Sequence, residues 1–245
     1  EEILQEVYRR NQQAVRASHI MVALPRNPSP EDTLKAYQKA MDIYEQAIKK
    51  DADFKKLAIA LSEDPSAKDH VSQKSGQEMK GNGGDLGYFT VFDMVYPFEQ
   101  AAFTMNVGEI SKPVRSSFGY HIIKVVDKIS IYGKSSIQHI WVGSMSDKDE
   151  NRMMSRINDA YRRLSEGEDF NKVVRDCSED RATIPVNGLI ENVPIPRMVP
   201  EYVKKIAELE VGEFSKPFKT DFGWHIIKVV KKDTIAPFED MKPFY

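Results

Sequence analysis

Cysteine is nearly missing from this 245-residue sequence. Cys177 stands alone, so no internal disulfide can form. That is neutral about the compartment, because exported proteins often lack disulfides too. One cysteine and no His-x3-His pair leave nothing to assemble a metal site, and neither metal nor cofactor is expected. An excess of one charge is also missing. Lys and Arg total 35 against 37 Asp and Glu, a net charge of −2. This gives no electrostatic reason to expect nucleic acid or an anionic membrane as partner. No apolar run approaches the roughly 18 residues of a spanning helix, so membrane insertion is not expected. No charged, apolar and small-residue leader is visible, so no export signal can be read. The chain begins at Glu1 without Met, as a mature form or an excised piece would.

What the sequence does have is a repeat. Phe118-Gly119-Tyr120-His121-Ile122-Ile123-Lys124-Val125-Val126 returns as Phe222-Gly223-Trp224-His225-Ile226-Ile227-Lys228-Val229-Val230. Aligning 107–128 with 211–232 keeps 15 of 22 positions. This is a tandem duplication, so the length resolves into two domains, each large enough to bury a core. We bound them as a lead-in helix at 1–16, domain 1 at 17–130, domain 2 at 136–233 and a connector at 234–245. The offset between repeats falls from 120 (His19 to His139) to 116 (Ser62 to Ser178) and then 104 (His121 to His225). The length differences therefore fall in loops, where insertions are tolerated.

Ile3, Leu4, Val7, Tyr8 and Val15 recur at helical spacing over 1–16. Ser18 to Leu24 reads as a strand. Ser29 is an N-cap with Pro30 at the first helical position, and Tyr37, Met41, Tyr44 and Ile48 mark one face of that helix. A helix with Phe54, Leu57, Ala58 and Leu61 ends at Ser62 to Pro65. Residues 66–84 read as a polar, mobile loop. Pro97 opens a short helix, and His121 to Val126 is the last strand. Domain 2 repeats this order, with a strand over Gln138 to Val142, a helix from Asp147 to Leu164 stopped by Gly167, and Cys177 as a small buried hydrophobe on a helix.

Four of the five histidines occupy two repeated slots, His19 and His139 on the first strand and His121 and His225 on the last. Their surroundings resemble the parvulin family of peptidyl-prolyl cis-trans isomerases. The resemblance rests on Ser18-His19-Ile20-Met21-Val22, Gly83-Gly84-Asp85-Leu86-Gly87-Tyr88-Phe89, Met94, Phe98, and Gly108-Glu109-Ile110-Ser111-Lys112-Pro113-Val114 running on to Phe118-Gly119-Tyr120-His121. It is strong over about 18–127 and weaker over 137–231. The tandem arrangement after a lead-in helix resembles SurA-like bacterial foldases. The resemblance implies an α+β fold of two tandem parvulin (FKBP-like) domains, each a four-stranded antiparallel sheet wrapped by about four helices. It also implies a periplasmic or otherwise extracytoplasmic location and unfolded or proline-containing polypeptides as partners; a monomer is expected.

The same resemblance carries a site onto domain 1. His19, Asp64, His121 and Ser116 become the polar catalytic set. Leu86, Met94, Phe98 and Phe118 become the proline-binding set. The corresponding residues of domain 2 are His139, Asp180, Met198, Tyr202, Thr220, Phe222 and His225. After the first strand only Ala23 and Arg26 stand where phosphate-selective parvulins carry a basic cluster, so a phosphate-independent enzyme is expected.

These residue types suit the reaction. Amide resonance opposes rotation with a barrier of ~18–20 kcal/mol, and uncatalysed X-Pro isomerisation takes roughly tens to hundreds of seconds. No bond is broken, so neither nucleophile nor cofactor is needed. An apolar grip on the proline ring and better binding of the twisted amide than of either planar form suffice. In domain 2 the Gly-Gly-Asp-Leu-Gly motif is eroded to Asn187-Gly188-Leu189-Ile190, and Pro194 and Pro196 stiffen the shortened loop beyond it. Domain 2 is therefore expected to be weak or inactive. The competing reading is a peptide-binding chaperone with little isomerase activity.

Overall fold

The structure, a computed structural model, describes residues 1–71, 76–131, 133–143, 149–193 and 198–244. It divides into two compact units, Glu1–Ile129 and Ser130–Tyr245. The order in domain 1 is α1 (Glu2–Arg10), β1 (Gln13–Ala23), α2 (Pro30–Ala47), α3 (Phe54–Leu61), β2 (His70–Val71), β3 (Glu78–Met79), β4 (Asp85–Phe89), α4 (Tyr96–Thr104), β5 (Val114–Arg115) and β6 (Gly119–Ser130). Domain 2 continues with β7 (Ser135–Val142), α5 (Glu150–Ser165), α6 (Phe170–Cys177), β8 (Leu189–Ile190), α7 (Pro200–Glu208), β9 (Phe218–Thr220), β10 (Gly223–Lys232) and α8 (Phe238–Met241).

Each domain is built on a four-stranded sheet, ordered β4-β1-β6-β5 in domain 1 and β8-β7-β10-β9 in domain 2. β4 and β5 run antiparallel to their neighbours, as do all pairs of the second sheet. The two central strands come from distant parts of each domain, and their alternation explains the core. Ile20, Val22, Tyr120 and Ile122 face α2 and α3, packing on Ala36, Ala40, Ile43 and Phe54. Val15, Ala17, Ile123 and Val125 face the other way, onto Phe89 and the α4 residues Phe98, Ala102 and Phe103. With both faces covered, the strands read as apolar runs rather than as a clean alternation. His19 and His121 share parity with the second set and so point toward α4.

Local chemistry sets the helix starts. Ser29 and Asp32 form a reciprocal capping box on α2, with Pro30 in the first turn. Asp53 and Asp169 cap α3 and α6 through their side chains. Gly167 takes φ +89° just past α5, where a side chain would be strained.

Several expectations need correction. The helix read over 1–16 stops at Arg10, and 13–17 belong to β1. Val15 fits helical spacing from Val7, but it pairs with Phe89 and is fully buried in the sheet. The polar stretch 66–84 is not featureless, since a 3-10 turn covers Pro65–Ala67 and β2 pairs with β3. α5 starts at Glu150, capped by Asp149. Asp147, Pro194 and Pro196 lie outside the described residues.

Candidate active site

In domain 1 the two histidines on adjacent central strands meet at their Nδ1 atoms, 3.2 Å apart. The rings stack at 5.4 Å with an interplanar angle of 14°. Each outer nitrogen has its own partner. His19 Nε2 lies 2.7 Å from Asp64 Oδ2, and His121 Nε2 lies 2.7 Å from Ser116 Oγ. Ser116 Oγ also accepts from the Phe118 backbone N–H, and Asp64 Oδ1 accepts from that of Ser66. The result is an unbroken line, Asp64–His19–His121–Ser116, with both histidines and Ser116 buried.

The surroundings fix the protons in this line. The His19 hydrogen bond holds the Asp64 carboxyl well below the usual carboxylate range against the opposing effect of burial. Burial, and then the neighbouring His19, push His121 down to about 4. Asp64 can only accept, so His19 Nε2 donates to it. His121 Nδ1 then donates to His19 Nδ1, and the Ser116 hydroxyl donates to His121 Nε2. Every donor finds an acceptor, and the chain points its hydrogen bonds toward the carboxylate.

Three of the four residues expected to bind proline lie in the apolar cluster beside this line. Phe98 sets its ring edge-on to both imidazoles, at 5.8 Å from His19 and 5.6 Å from His121. Leu86 and Met94 are half-buried against the same cluster, together with Val114. Phe118 stands apart from that wall and is 59% exposed, although its carbonyl accepts from Leu24 N and so ties the β5–β6 turn to the end of β1. Gly84 closes the other side. Its carbonyl accepts from His19 N, and with φ +84° an added Cβ would sit 2.6 Å from His19 O. Backbone must approach the histidine strand here, and only glycine allows it.

Domain 2 keeps the outer parts and changes the middle. Asp180 Oδ2 lies 2.7 Å from His139 Nε2, and Thr220 Oγ1 lies 2.8 Å from His225 Nε2. Between the rings stands the hydroxyl of Tyr202, 3.2 Å from His139 Nδ1 and 2.6 Å from His225 Nδ1. Tyr202 occupies the Phe98 position, and its ring packs edge-on to His225 at 4.9 Å. Burial pushes its hydroxyl pKa up and keeps it neutral. It accepts from His225 Nδ1 and donates to His139 Nδ1, so the proton order of domain 1 is retained through one additional oxygen. Burial pushes His225 down to about 3 and lowers His139 as well.

Three residues of this site were not singled out from the sequence. Thr183 donates to Asp180 Oδ2 and lies 2.9 Å from His139 Nε2. Ile190 holds the Leu86 position and, like Met198, packs against the apolar cluster that contains Tyr202. Phe218, where domain 1 has Val114, stacks on His225 at 5.5 Å and meets Tyr202 edge-on at 5.2 Å. The last change is visible in the repeat alignment as Val to Phe. Phe222, which was singled out, is exposed like Phe118, and its backbone N–H donates to Thr220.

A four-stranded sheet with facing histidines on its central strands, an acid after the second helix of the sheet's outer layer and an apolar wall on the next helix defines the parvulin class. Comparison with known proteins agrees. The family described as PPIC-type PPIASE domain matches residues 3–129 and again 138–231. The chain belongs to the PPIC-type peptidyl-prolyl isomerase family, as two tandem domains. It is similar to the chaperone SurA of Saccharophagus degradans, 33% identical over 218 residues, which are 87% of this chain and 47% of that one. SurA of Hahella chejuensis is 32% identical over 216 residues, 86% of this chain and 46% of that one. The chain thus spans about half the length of the curated relatives it matches. Among solved structures, the peptidylprolyl isomerase PrsA of Bacillus cereus shares 32% identity over 46% of this chain and 40% of its own, with a TM-score of 0.39. PrsA of Bacillus subtilis shares 25% over 86% and 56%, with a TM-score of 0.35. Among the described residues no helix is long and apolar enough to cross a membrane, and no cluster of metal-ligating side chains is found.

Proposed function

We propose that this chain is a peptidyl-prolyl cis-trans isomerase for X-Pro bonds of unfolded or exported polypeptides. It works without covalent chemistry, cofactor or phosphate recognition, and in an extracytoplasmic compartment, as its kinship with SurA chaperones suggests. The observation that carries the reading is Phe98, with Leu86 and Met94 in its apolar cluster, set edge-on to the two buried histidines of the Asp64–His19–His121–Ser116 line. The wall grips the proline ring, and the preceding carbonyl turns past the polar edge. A planar amide carries partial negative charge on its carbonyl oxygen by resonance, and the twisted amide loses it. An ionised Asp64 therefore disfavours the planar states more than the twisted one, which is the differential binding that lowers the barrier. The histidines act by fixing Asp64 and Ser116 in place rather than by moving protons.

Domain 1 is the active half in this reading, and domain 2 is weak or inactive. Two observations support the difference. The Tyr202 hydroxyl separates the histidines, and the Phe218 ring takes space that Val114 leaves open. The second reading, a chaperone that holds extended chains, fits domain 2 best, where a rigid polar line survives beside a filled pocket. Exchange NMR on an Ala-Pro peptide with the full chain tests both. Asp64→Ala should remove most of the exchange and Asp180→Ala little of it. Equal losses would overturn the division of labour, and a wild type without exchange would leave the chaperone reading.

A further inference from the structure

Among the described residues, Arg10 and Glu99 are the only Arg, Lys, Asp or Glu side chains that are fully buried. They face each other, with Arg10 Nη1 3.8 Å from Glu99 Oε1. Arg10 is the last residue of α1. Its Nε donates to Glu6 at 2.7 Å and its Nη2 to Gln100 Oε1 at 2.6 Å, and the guanidinium lies over the Phe103 ring at 5.5 Å. The N-terminal helix is therefore anchored on α4 by a desolvated cation.

Glu99 has a second task. Its Oε2 accepts from the backbone N–H of Phe92 at 2.7 Å. Phe92 has φ +71°, in the left-handed region that bulky residues avoid. The other non-glycine residues found there among those described are Asn187 and Asn192, a residue type that tolerates it. Packing of the Phe92 side chain does not force the strain, because the ring is 71% exposed. The strain belongs to a turn in which Asp93 N–H donates to the Thr90 carbonyl across Phe92, and the bond to Glu99 holds the Phe92 amide within it. This turn joins β4 to α4, is closed by Thr90 N–H and hydroxyl bonds to Asp93, and delivers Met94 into the pocket cluster.

The duplication supplies a control. At the Glu99 position domain 2 has Val203, fully buried on α7. The fold therefore needs no charge here, and a buried ion pair costs desolvation that an apolar residue avoids. A strained turn, a buried carboxylate and a buried guanidinium all meet in the half that has the open pocket.

We infer that Arg10 and Glu99 are positioning residues of domain 1, through which the N-terminal helix holds the Phe92 turn and sets Met94 against the proline ring. This rests on the reading of domain 1 as the isomerase site. Burial pushes the Glu99 carboxyl up, opposed by the Phe92 N–H and by Arg10. Losing Arg10 leaves a buried acid that turns neutral and accepts more weakly. Lifting α1 off the domain then loosens the grip on proline.

The test uses the full chain with Glu99→Leu, Glu99→Gln and Arg10→Met, read by Ala-Pro exchange kinetics and by hydrogen exchange at the Phe92 amide. Glu99→Leu should raise KM about tenfold with little change in kcat, and speed Phe92 exchange about tenfold or more, the scale of one lost charge-assisted bond. Glu99→Gln keeps an acceptor oxygen and should recover most of both. Arg10→Met should move KM and Phe92 exchange in the same direction as Glu99→Leu, and it carries the test alone if Glu99→Leu does not fold. Unchanged KM and Phe92 exchange in a folded variant, a fall in kcat alone, or Gln no better than Leu would overturn the inference. A wild type with no isomerase activity would instead refute the reading of domain 1, while the Phe92 exchange still judges the clamp.

Discussion

Replacing Tyr202 with Phe removes a single oxygen from the middle of the domain 2 line. That oxygen accepts from His225 Nδ1 at 2.6 Å and donates to His139 Nδ1 at 3.2 Å. Two buried hydrogen bonds at ~0.5–1.5 kcal/mol each put the stability loss at about 2 kcal/mol. For a domain of this size that is a fall in Tm of roughly 10 °C. Domain 1 shows how the loss can be limited, because its histidines meet directly at 3.2 Å once a Phe holds that position. Adding Phe218→Val then empties the space that Val114 leaves open in domain 1. In a full chain carrying Asp64→Ala to silence domain 1, Tyr202→Phe with Phe218→Val should raise kcat/KM for an Ala-Pro peptide about tenfold or more, which needs only ~1.36 kcal/mol of new transition-state stabilisation. The reciprocal Phe98→Tyr in an otherwise wild-type chain should lower it. Exchange NMR reads both. If Phe98→Tyr folds and keeps full activity, or if the double substitution folds and gains none, the Tyr202 bridge and the Phe218 ring are not what separates the two halves.

The same geometry sets the remaining expectations. His121 falls from 6.5 to about 4 on folding, so the unfolded chain binds its proton more readily, and stability is lost as pH falls from about 6.5 toward 4. That fall amounts to about 3 kcal/mol for His121; His225 adds to it over a window that opens at the same 6.5 and runs on to about 3, and Asp64 acts in the same direction below its ordinary value of 3.8. Thermal melts at about pH 7, 5.5 and 4.5, spanning that window, should show a falling Tm, and a flat profile would refute the neutral-histidine assignment. Ser116→Ala should destabilise domain 1 by roughly 1–2 kcal/mol by leaving His121 Nε2 without its donor, whereas Ser116→Thr should be tolerated, because Thr220 already fills this role in domain 2. A denaturant series on the two variants separates them, and equal stability would contradict it. Gly84→Ala and Gly188→Ala should each cost about 2 kcal/mol or more, since their φ values of +84° and +74° and a Cβ at 2.6 Å or 2.3 Å from a histidine carbonyl leave no room. Circular dichroism melts of both variants check this, and an unchanged Tm would mean that the backbone there can shift.

The repeat fixed the domain count and placed a histidine on the first and last strand of each half. Which way those histidines face was not legible, because both faces of the central strands are apolar and only the packing of α4 on one of them gives the direction. Local signals of short range were also legible, such as the Ser29 cap and the Phe98 helix. The end of the lead-in helix was not, because an i+8 spacing from Val7 to Val15 fits helix and strand alike until a partner strand is known. β4 is that partner, and it lies far along the chain, as the pairing of Val15 with Phe89 shows.

Tertiary placement settled what the matching parts of the two halves do differently. A Phe and a Tyr at one helix position look equivalent as pocket walls, and only the placement of two buried histidines within reach of one hydroxyl turns Tyr202 into part of the polar line. The same holds for Arg10 and Glu99, which in sequence are ordinary charges on two helices. Their meeting in the core depends on how α1 lies on α4, a contact between residues 89 positions apart (99 − 10) that no local pattern encodes. The two-domain scaffold and the family were readable from the amino acids because the repeat and the motif residues around the histidines lie close together in sequence and resemble those of the parvulin family. Whether the histidines meet directly or through a tyrosine, and which charges meet in the core, rests on distances between residues far apart in the chain, and only folding sets those.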